Sequence, residues 1–352
     1  MNREERVQAS YKILDSLRMD HGLYKASTSS TYNFCWIRDS FYMSLPYLDK
    51  NDGLYEASYH RIFDMLKEYE DKLTYHTHVR PTHRYEYIHP RYTADTVQEV
   101  PVEWGNCQHD AWGAIVWGVG MGIKQGKKML RDQHDHTILQ KLVGYLECVH
   151  FWEDADNGAW EEWREVHTSS VGACVAGLEA VKDTVFVHQS SIDRGRKALG
   201  RLFPHESGSR PYDLIQLSMV YPFNVLTKEE SLVIIKQIEQ HLLRSRGVAR
   251  YLGDSYYSTL EEKDGRNLPL YHYYGEEAEW VMGYLFLSLS HLKLGNISEA
   301  ERYLNLTDEV MLSNGALPEL YYANSEQFNE NHTLGWNSAL YILTKEAIDK
   351  ER

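Results

Sequence analysis

Residues 111–123 read Ala111-Trp-Gly-Ala-Ile-Val-Trp-Gly-Val-Gly-Met-Gly-Ile123, without one charged side chain. A helix that is apolar on every side must be buried on every side. Its repeated glycines cost helix propensity but let neighbouring backbones approach closely. Val281-Met-Gly-Tyr-Leu-Phe-Leu-Ser-Leu289 has the same character, as do segments near 38–48, 110–124, 168–182, 212–221, 278–294 and 332–346. Between them lie segments with one charged face, near 3–18, 54–73, 135–153, 189–203, 228–243 and 298–312. After Thr227 the apolar Leu232, Ile235, Ile238 and Leu242 recur at helical spacing, and Thr227 with Glu230 forms a capping-box start. Leu294-Gly295-Asn296 closes one helix before Ser298–Glu301 opens the next. Buried helices alternating with amphipathic ones describe two concentric rings, an all-α (α/α)6 barrel. An irregular α-bundle or an α-solenoid is the alternative, and no self-similar repeat supports the solenoid.

The connections are unequal. Links from a buried helix to the next amphipathic one are short, as at Asn51-Asp-Gly53 and Asp183-Thr184. Links in the other direction are long: 19–37, 74–109, 154–167, 204–211, 244–277 and 313–331. Long loops gathered on one face of a rigid scaffold are where binding and catalysis usually sit. No Pro/Ser-rich linker or composition shift interrupts the chain, so one domain over 1–352 is expected, with a lid or subdomain at 74–109.

Composition narrows the partners. The 352 residues carry 37 Lys and Arg against 51 Asp and Glu, a net charge of −14. Nucleic acid and anionic membranes call for a basic footprint, so neither is expected. No apolar run reaches membrane-spanning length, and the first twenty residues lack the apolar core of a secretion signal. Cys35, Cys107, Cys148 and Cys174 have no CxxC spacing and read as reduced thiols, which together with the missing signal suggests a cytoplasmic protein. The unusual feature is 26 Tyr and 9 Trp beside only 9 Phe. Rings with a polar edge suit flat, hydroxylated ligands, or simply a Tyr-rich core.

The long loops carry the candidate chemistry. Residues 160–163 read Trp160-Glu161-Glu162-Trp163, two carboxylates between two indoles. A carboxyl buried against Trp stays protonated near neutrality, as a general acid requires; a solvated acidic loop is the plainer reading. Glu326, in Ser325-Glu326-Gln327, precedes another buried helix on the same expected face, where it would also suit the helix dipole. A carboxylic acid opposite a carboxylate is the minimal apparatus for glycoside hydrolysis. Arg38-Asp39 enters an apolar helix, and buried charge must be paired. It forms either an internal ion pair or a fork for sugar hydroxyls.

These segments together resemble glycoside hydrolase family 15, the glucoamylase-like enzymes, over about residues 30–345. Tyr32-x-x-x-Trp36-x-Arg38-Asp39 resembles the segment that grips the non-reducing terminal glucose. Trp104-Gly-x-x-Gln108-x-Asp110 is similar to the stretch beside the scissile bond. Trp160-Glu161-Glu162 resembles the general-acid motif, with Glu162 a hydroxyl contact. Gly247-x-x-Arg250, with Asp254 and Tyr257, resembles the substrate-binding arginine segment, and Trp280 a later aromatic position. Ser325-Glu326-Gln327 is similar to the general-base motif. The resemblance implies an exo-acting, inverting α-glucosidase needing no cofactor, with Glu161 as acid, Glu326 as base and Tyr32 placing the water. Glu161 is then expected to be the drier of the pair. It also implies an α-glucan or oligosaccharide substrate. The N-terminal β-sandwich of many family members has no room before Tyr32, so homo-oligomerisation is expected to cover that side of the barrel. Trehalose or α-1,6 isomalto-oligosaccharides are alternative substrates for the same mechanism, and a silent glucan- or protein-binding barrel is the rival from another class.

Other signals are weaker. His76, His78, His83 and His89 read as surface imidazoles, not a metal site. Gly118-x-Gly120-x-Gly122 lies within an apolar helix without a preceding strand, so its glycines serve packing and not phosphate binding.

Overall fold

The computed structural model describes residues 1–102, 104–260 and 268–352. Residues 103 and 261–267, parts of the long connections 74–109 and 244–277, lie outside the described residues. The helices in chain order are α1 (Arg3–Leu17), α2 (Ile37–Ser44), α3 (Leu54–Glu68), α4 (Glu70–Tyr75), α5 (His109–Lys124) and α6 (Gln133–Val149). There follow α7 (Thr168–Val181), α8 (Gln189–Leu202), α9 (Lys228–His241), α10 (Met282–Lys293), α11 (Ile297–Val310) and α12 (Gly335–Glu351). Two short antiparallel pairs join β1 (Phe34–Trp36) to β2 (Arg91–Thr93) and β3 (Glu279–Trp280) to β4 (Leu320–Tyr321).

The chain forms two compact units. The first comprises Arg18–Lys25 and Phe34–Phe203; the second comprises Met1–Leu17, Ala26–Asn33 and Pro204–Arg352. In the first, every residue of α2 is buried, and α7 is buried from Thr168 to Leu178. The glycines of α5 and α7 are there for close approach. A Cβ at Gly113 would stand 2.6 Å from the backbone nitrogen of Cys174, and one at Gly177 2.5 Å from the carbonyl oxygen of Gly113. The surrounding helices are one-faced: α6 buries Ile138, Leu139, Leu142, Val143, Leu146 and Val149. In the second unit α10 is buried from Met282 to His291, and α9 turns Ile234, Ile235 and Ile238 inward.

Three segments depart from the expected helices. The segment 54–73 breaks at Tyr69, which is not helical and separates α3 from α4. The expected helix at 212–221 is only a 3-10 turn, Leu214–Met219, opened by an Asp213–Gln216 capping box and followed closely by Pro222, which has no N–H to continue a helix. Leu232, assigned to the apolar stripe of α9, is exposed, because the buried stripe runs through Ser231, Ile234, Ile235 and Ile238.

The α5–α7 contact predicts opposite results from two glycine substitutions. Gly177→Val should destabilise by about 2–3 kcal/mol through overpacking. Gly200→Ala, in α8 where an added Cβ meets nothing within 4 Å, should gain about 0.5–1 kcal/mol. Urea unfolding of the two variants measures both; equal effects would contradict the contact.

Candidate active site

In the first unit, β1 delivers Trp36 to the start of α2, and Arg38 follows inside that buried helix. Its guanidinium is used as a fork. Nε donates to Asp110 Oδ2 at 2.5 Å, while Nη2 donates to Asp110 Oδ1 at 3.1 Å, Gln108 Oε1 at 2.6 Å and the Gly158 carbonyl at 3.3 Å. The buried arginine therefore has an ion pair, with Asp110, and its neighbour Asp39 is also buried. Nη1 lies 3.6 Å from Glu161 Oε1. Gln108 passes the order on by donating to the Gly105 carbonyl at 2.6 Å.

Glu161 sits on a loop pinned at both ends. Asp156 and Glu165 exchange backbone hydrogen bonds at 2.8 and 3.0 Å. The Asn157 amide donates to the Cys107 carbonyl at 2.6 Å, and the Glu162 amide donates to the Asn157 carbonyl at 3.1 Å. Glu161 itself has φ +63°, a left-handed conformation that costs a non-glycine residue energy and persists only where surroundings impose it. Its Oε2 accepts from the Trp104 indole at 2.8 Å, whereas the buried Oε1 has no hydrogen-bond partner among the described residues. The Trp104 ring is covered by the Arg91 guanidinium at 3.8 Å, which also faces Phe34 at 4.7 Å. Arg91, from β2, was not singled out in the sequence because nothing local marks a cation stacked on a tryptophan thirteen residues later. Trp160 and Glu162 are half-buried beside Glu161.

Among the described residues Cys107, His109 and Asp154 also converge, with ligand-type atoms within 4.8 Å of one another. Asp154 accounts for the cluster. Its Oδ2 accepts from His109 Nε2 at 3.0 Å, Tyr87 at 3.0 Å and Cys107 Sγ at 3.7 Å. Its Oδ1 faces Arg80 at 3.3 Å and Arg164 at 3.6 Å. With two guanidiniums already opposite the carboxylate, the cluster is a hydrogen-bonded anchor for the loop that follows.

In the second unit the residue expected as base is exposed. The Glu326 side chain is 88% exposed and paired with Arg246 at 2.7 Å. The buried carboxylate is Glu319, seven residues earlier and 3% exposed. Its Oε1 accepts from the Tyr32 hydroxyl at 2.7 Å, and its Oε2 accepts from the amides of Asn329 at 2.6 Å and Asn331 at 2.8 Å. Burial pushes its pKa up, opposed by those three donors and by the charge of Arg250. Tyr32 stays protonated, its pKa raised well above the ordinary value by burial and by Glu319. Arg250 holds Asp254 through bonds of 2.6 and 2.7 Å, and lies 4.8 Å from the Tyr256 ring and 5.0 Å from that of Trp280. Tyr257, at φ +53°, donates to Glu330 at 2.6 Å. The missed signal is the pair Asn329 and Asn331, both buried with their amides on Glu319, while the exposed Glu330 between them accepts from Tyr257.

The sequence expectation of surface imidazoles fails for two of the four histidines. His76 is buried, with Nδ1 2.7 Å from the Val79 carbonyl, and His89 is buried beside Asn106. Burial lowers the His89 pKa to about 3, with Lys72 and Arg91 acting in the same direction. Glu99, 3.8 Å away, offers little relief because Lys72 already holds it at 2.7 Å.

Comparison with known proteins places the chain in a carbohydrate-processing family. The model of the glycosyl hydrolases family 15 matches residues 7–343, and the chain belongs to that family. Its fold is the family's all-α (α/α)6 barrel. A glycosidase variant with a glutamate replaced by alanine, solved in complex with glucose, superposes with a TM-score of 0.81 at 17% identity, covering 99% of this chain and 97% of that one. The glucoamylase of Saccharomycopsis fibuligera gives 0.67 at 14% identity, covering 99% and 95%. Among curated proteins the chain is 26% identical over 304 residues to the phosphorylase b kinase regulatory subunit alpha of mouse skeletal muscle, matching 73% of this chain. It spans about a quarter of that relative's length (24%). No described helix is long and apolar enough to cross a membrane.

The buried His89 makes stability acid-sensitive. The unfolded imidazole binds a proton near pH 6.5 and the folded one only near 3, so stability present above 6.5 is lost as pH falls between them. The loss should approach about 1.4 kcal/mol per pH unit between roughly 6 and 4. Urea midpoints at pH 7 and 4.5 test this: His89→Gln should flatten the dependence, and an unchanged slope would remove His89 as its source.

Proposed function

We propose that the chain is an exo-acting, inverting α-glucosidase that releases β-glucose from the non-reducing end of short α-glucans, with Glu161 as general acid and Glu319, in place of Glu326, as general base. The observation that carries the reading is the contrast between those last two residues. A base must be held and kept from bulk solvent, and Glu319 is held by Tyr32, Asn329 and Asn331 whereas Glu326 stands in water beside Arg246. Glu161 is drier than Glu326, as expected, but Glu319 is more buried than either.

In this reading Glu161 Oε1, without a hydrogen-bond partner among the described residues while Trp104 holds Oε2, carries the proton to the glycosidic oxygen. Glu319 removes a proton from a water that attacks the anomeric carbon from the opposite ring face, so the C–O bond to the leaving sugar breaks as the new one forms. Such chemistry places the two carboxyls about 6.5–9.5 Å apart, with the water between base and sugar. Tyr32, bonded to Glu319 Oε1, orients that water. Arg38, immobilised by Asp110 and Gln108, and Asp39 beside it close one end of the pocket and give exo action. Trp36, Trp160, Glu162, Arg250, Tyr257 and Trp280 contact the sugars.

A second reading is favoured by one finding: the curated relatives are named as regulatory subunits. In it the barrel binds a glucan or a protein without hydrolysing anything. Glu319 and its three donors support hydrolysis, since binding alone gives no reason to bury a carboxylate among them.

Incubation with maltotriose, isomaltotriose and trehalose, with the product anomer followed by NMR, tests both readings and the linkage. β-Glucose should appear first. Initial α-glucose would contradict inversion, and no release from any of the three would favour the regulatory reading. Glu161→Gln and Glu319→Gln should each lower kcat by roughly 10²–10⁴-fold, while Glu326→Gln should turn over like the parent.

A further inference from the structure

Glu319 is buried, yet a general base works only when ionised, and the second unit contains an arrangement that answers this conflict. Both carboxamides of the Asn329-Glu330-Asn331 segment end on one oxygen of Glu319, Oε2, at 2.6 and 2.8 Å, while the Tyr32 hydroxyl takes Oε1 at 2.7 Å. The orientation of one amide is fixed independently, because Asn331 Oδ1 accepts from Ser29 at 2.5 Å, which turns its NH2 group toward Glu319. The backbone reinforces it: the Glu319 amide donates to the Asn331 carbonyl at 3.0 Å. Donors directed at a carboxylate stabilise the charged form only.

We propose that Asn329 and Asn331 are positioning residues that hold Glu319 in its ionised form and fix Oε2, leaving Oε1 as the oxygen that faces the nucleophilic water. The inference rests on Glu319 being the base. The other groups facing Glu319 cannot do this alone. Tyr32 reaches only the other oxygen, Tyr32, Tyr256 and Tyr257 have pKa values raised by burial and by Glu319 itself, and the cation Arg250 is already paired with Asp254. Both asparagines are themselves buried, so water does not replace an amide that is lost.

The test is the pH profile of kcat/KM on 4-nitrophenyl α-D-glucopyranoside. Its acidic limb reports the base in the free enzyme. Asn331→Asp and Asn329→Asp keep the volume and replace a donor by an acceptor. The ionised form of Glu319 is then less favoured, its pKa rises, and the acidic limb should move to higher pH by about one unit, with KM above the limb little changed. Ser29→Ala, which removes only the brace on Asn331, should move the limb the same way by less, and serves where an aspartate variant fails to fold. A uniform fall in kcat at every pH with an unmoved limb, or an unmoved limb in Ser29→Ala when neither aspartate variant folds, would overturn the proposal. Glu319→Gln separates the two levels. If it abolishes turnover and the limb does not move, only the asparagine clamp fails; if it retains turnover, Glu319 is not the base and the clamp falls with it.

Discussion

A carboxylate taken out of water must find its solvation among fixed donors, and this constraint organises both units. The transfer is prohibitive for an isolated charge, so the donors have to be in place before the group is useful. Glu161 and Glu319 meet the requirement differently. Glu161 has one indole and the edge of a guanidinium, and one oxygen is without a hydrogen-bond partner among the described residues. Glu319 has three neutral donors spread over both oxygens. Donors directed at both oxygens of Glu319 favour its ionised form.

Arg38 shows how far such a constraint propagates. Its position in a helix buried at every residue forces pairing, and a broken buried pair costs about 3–5 kcal/mol. Asp110 and Gln108, at the start of another buried helix, supply the partners, so the ion pair ties α2 to α5. The last nitrogen then points at Glu161. An interaction that reads as structural from its energy thus fixes the geometry of the reactive loop. Asp154 and Asp156 do similar work at the foot of that loop: Asp154 gathers His109, Tyr87 and Cys107, and Asp156 accepts from the His109 amide and from Ser170.

Much of the fold was legible because helices apolar on all sides have one physical explanation, and the glycines of α5 and α7 are placed where a Cβ would strike the facing backbone. Helix boundaries were less legible at Tyr69 and at Leu214–Met219, where a break and a 3-10 turn replaced the expected continuous helices. Glu161 was marked as a candidate by its two flanking tryptophans. Glu326 was chosen over Glu319 for its neighbours in sequence, and its exposure could not be seen there. The clue to Glu319 lay ten and twelve residues downstream, in two asparagines whose amides reach it only once the chain has folded.

The sequence alone determined the helical class and the alternation of buried and one-faced helices, and it marked the candidate loops and carboxyls. These follow from local period and composition, which act over a few residues. The tertiary structure decided which carboxylate of the last loop is buried, that Arg38 pairs with Asp110, and that two histidines and Arg91 lie inside. Each of those depends on whether a donor distant in the chain arrives within hydrogen-bonding reach, and that is settled by packing alone.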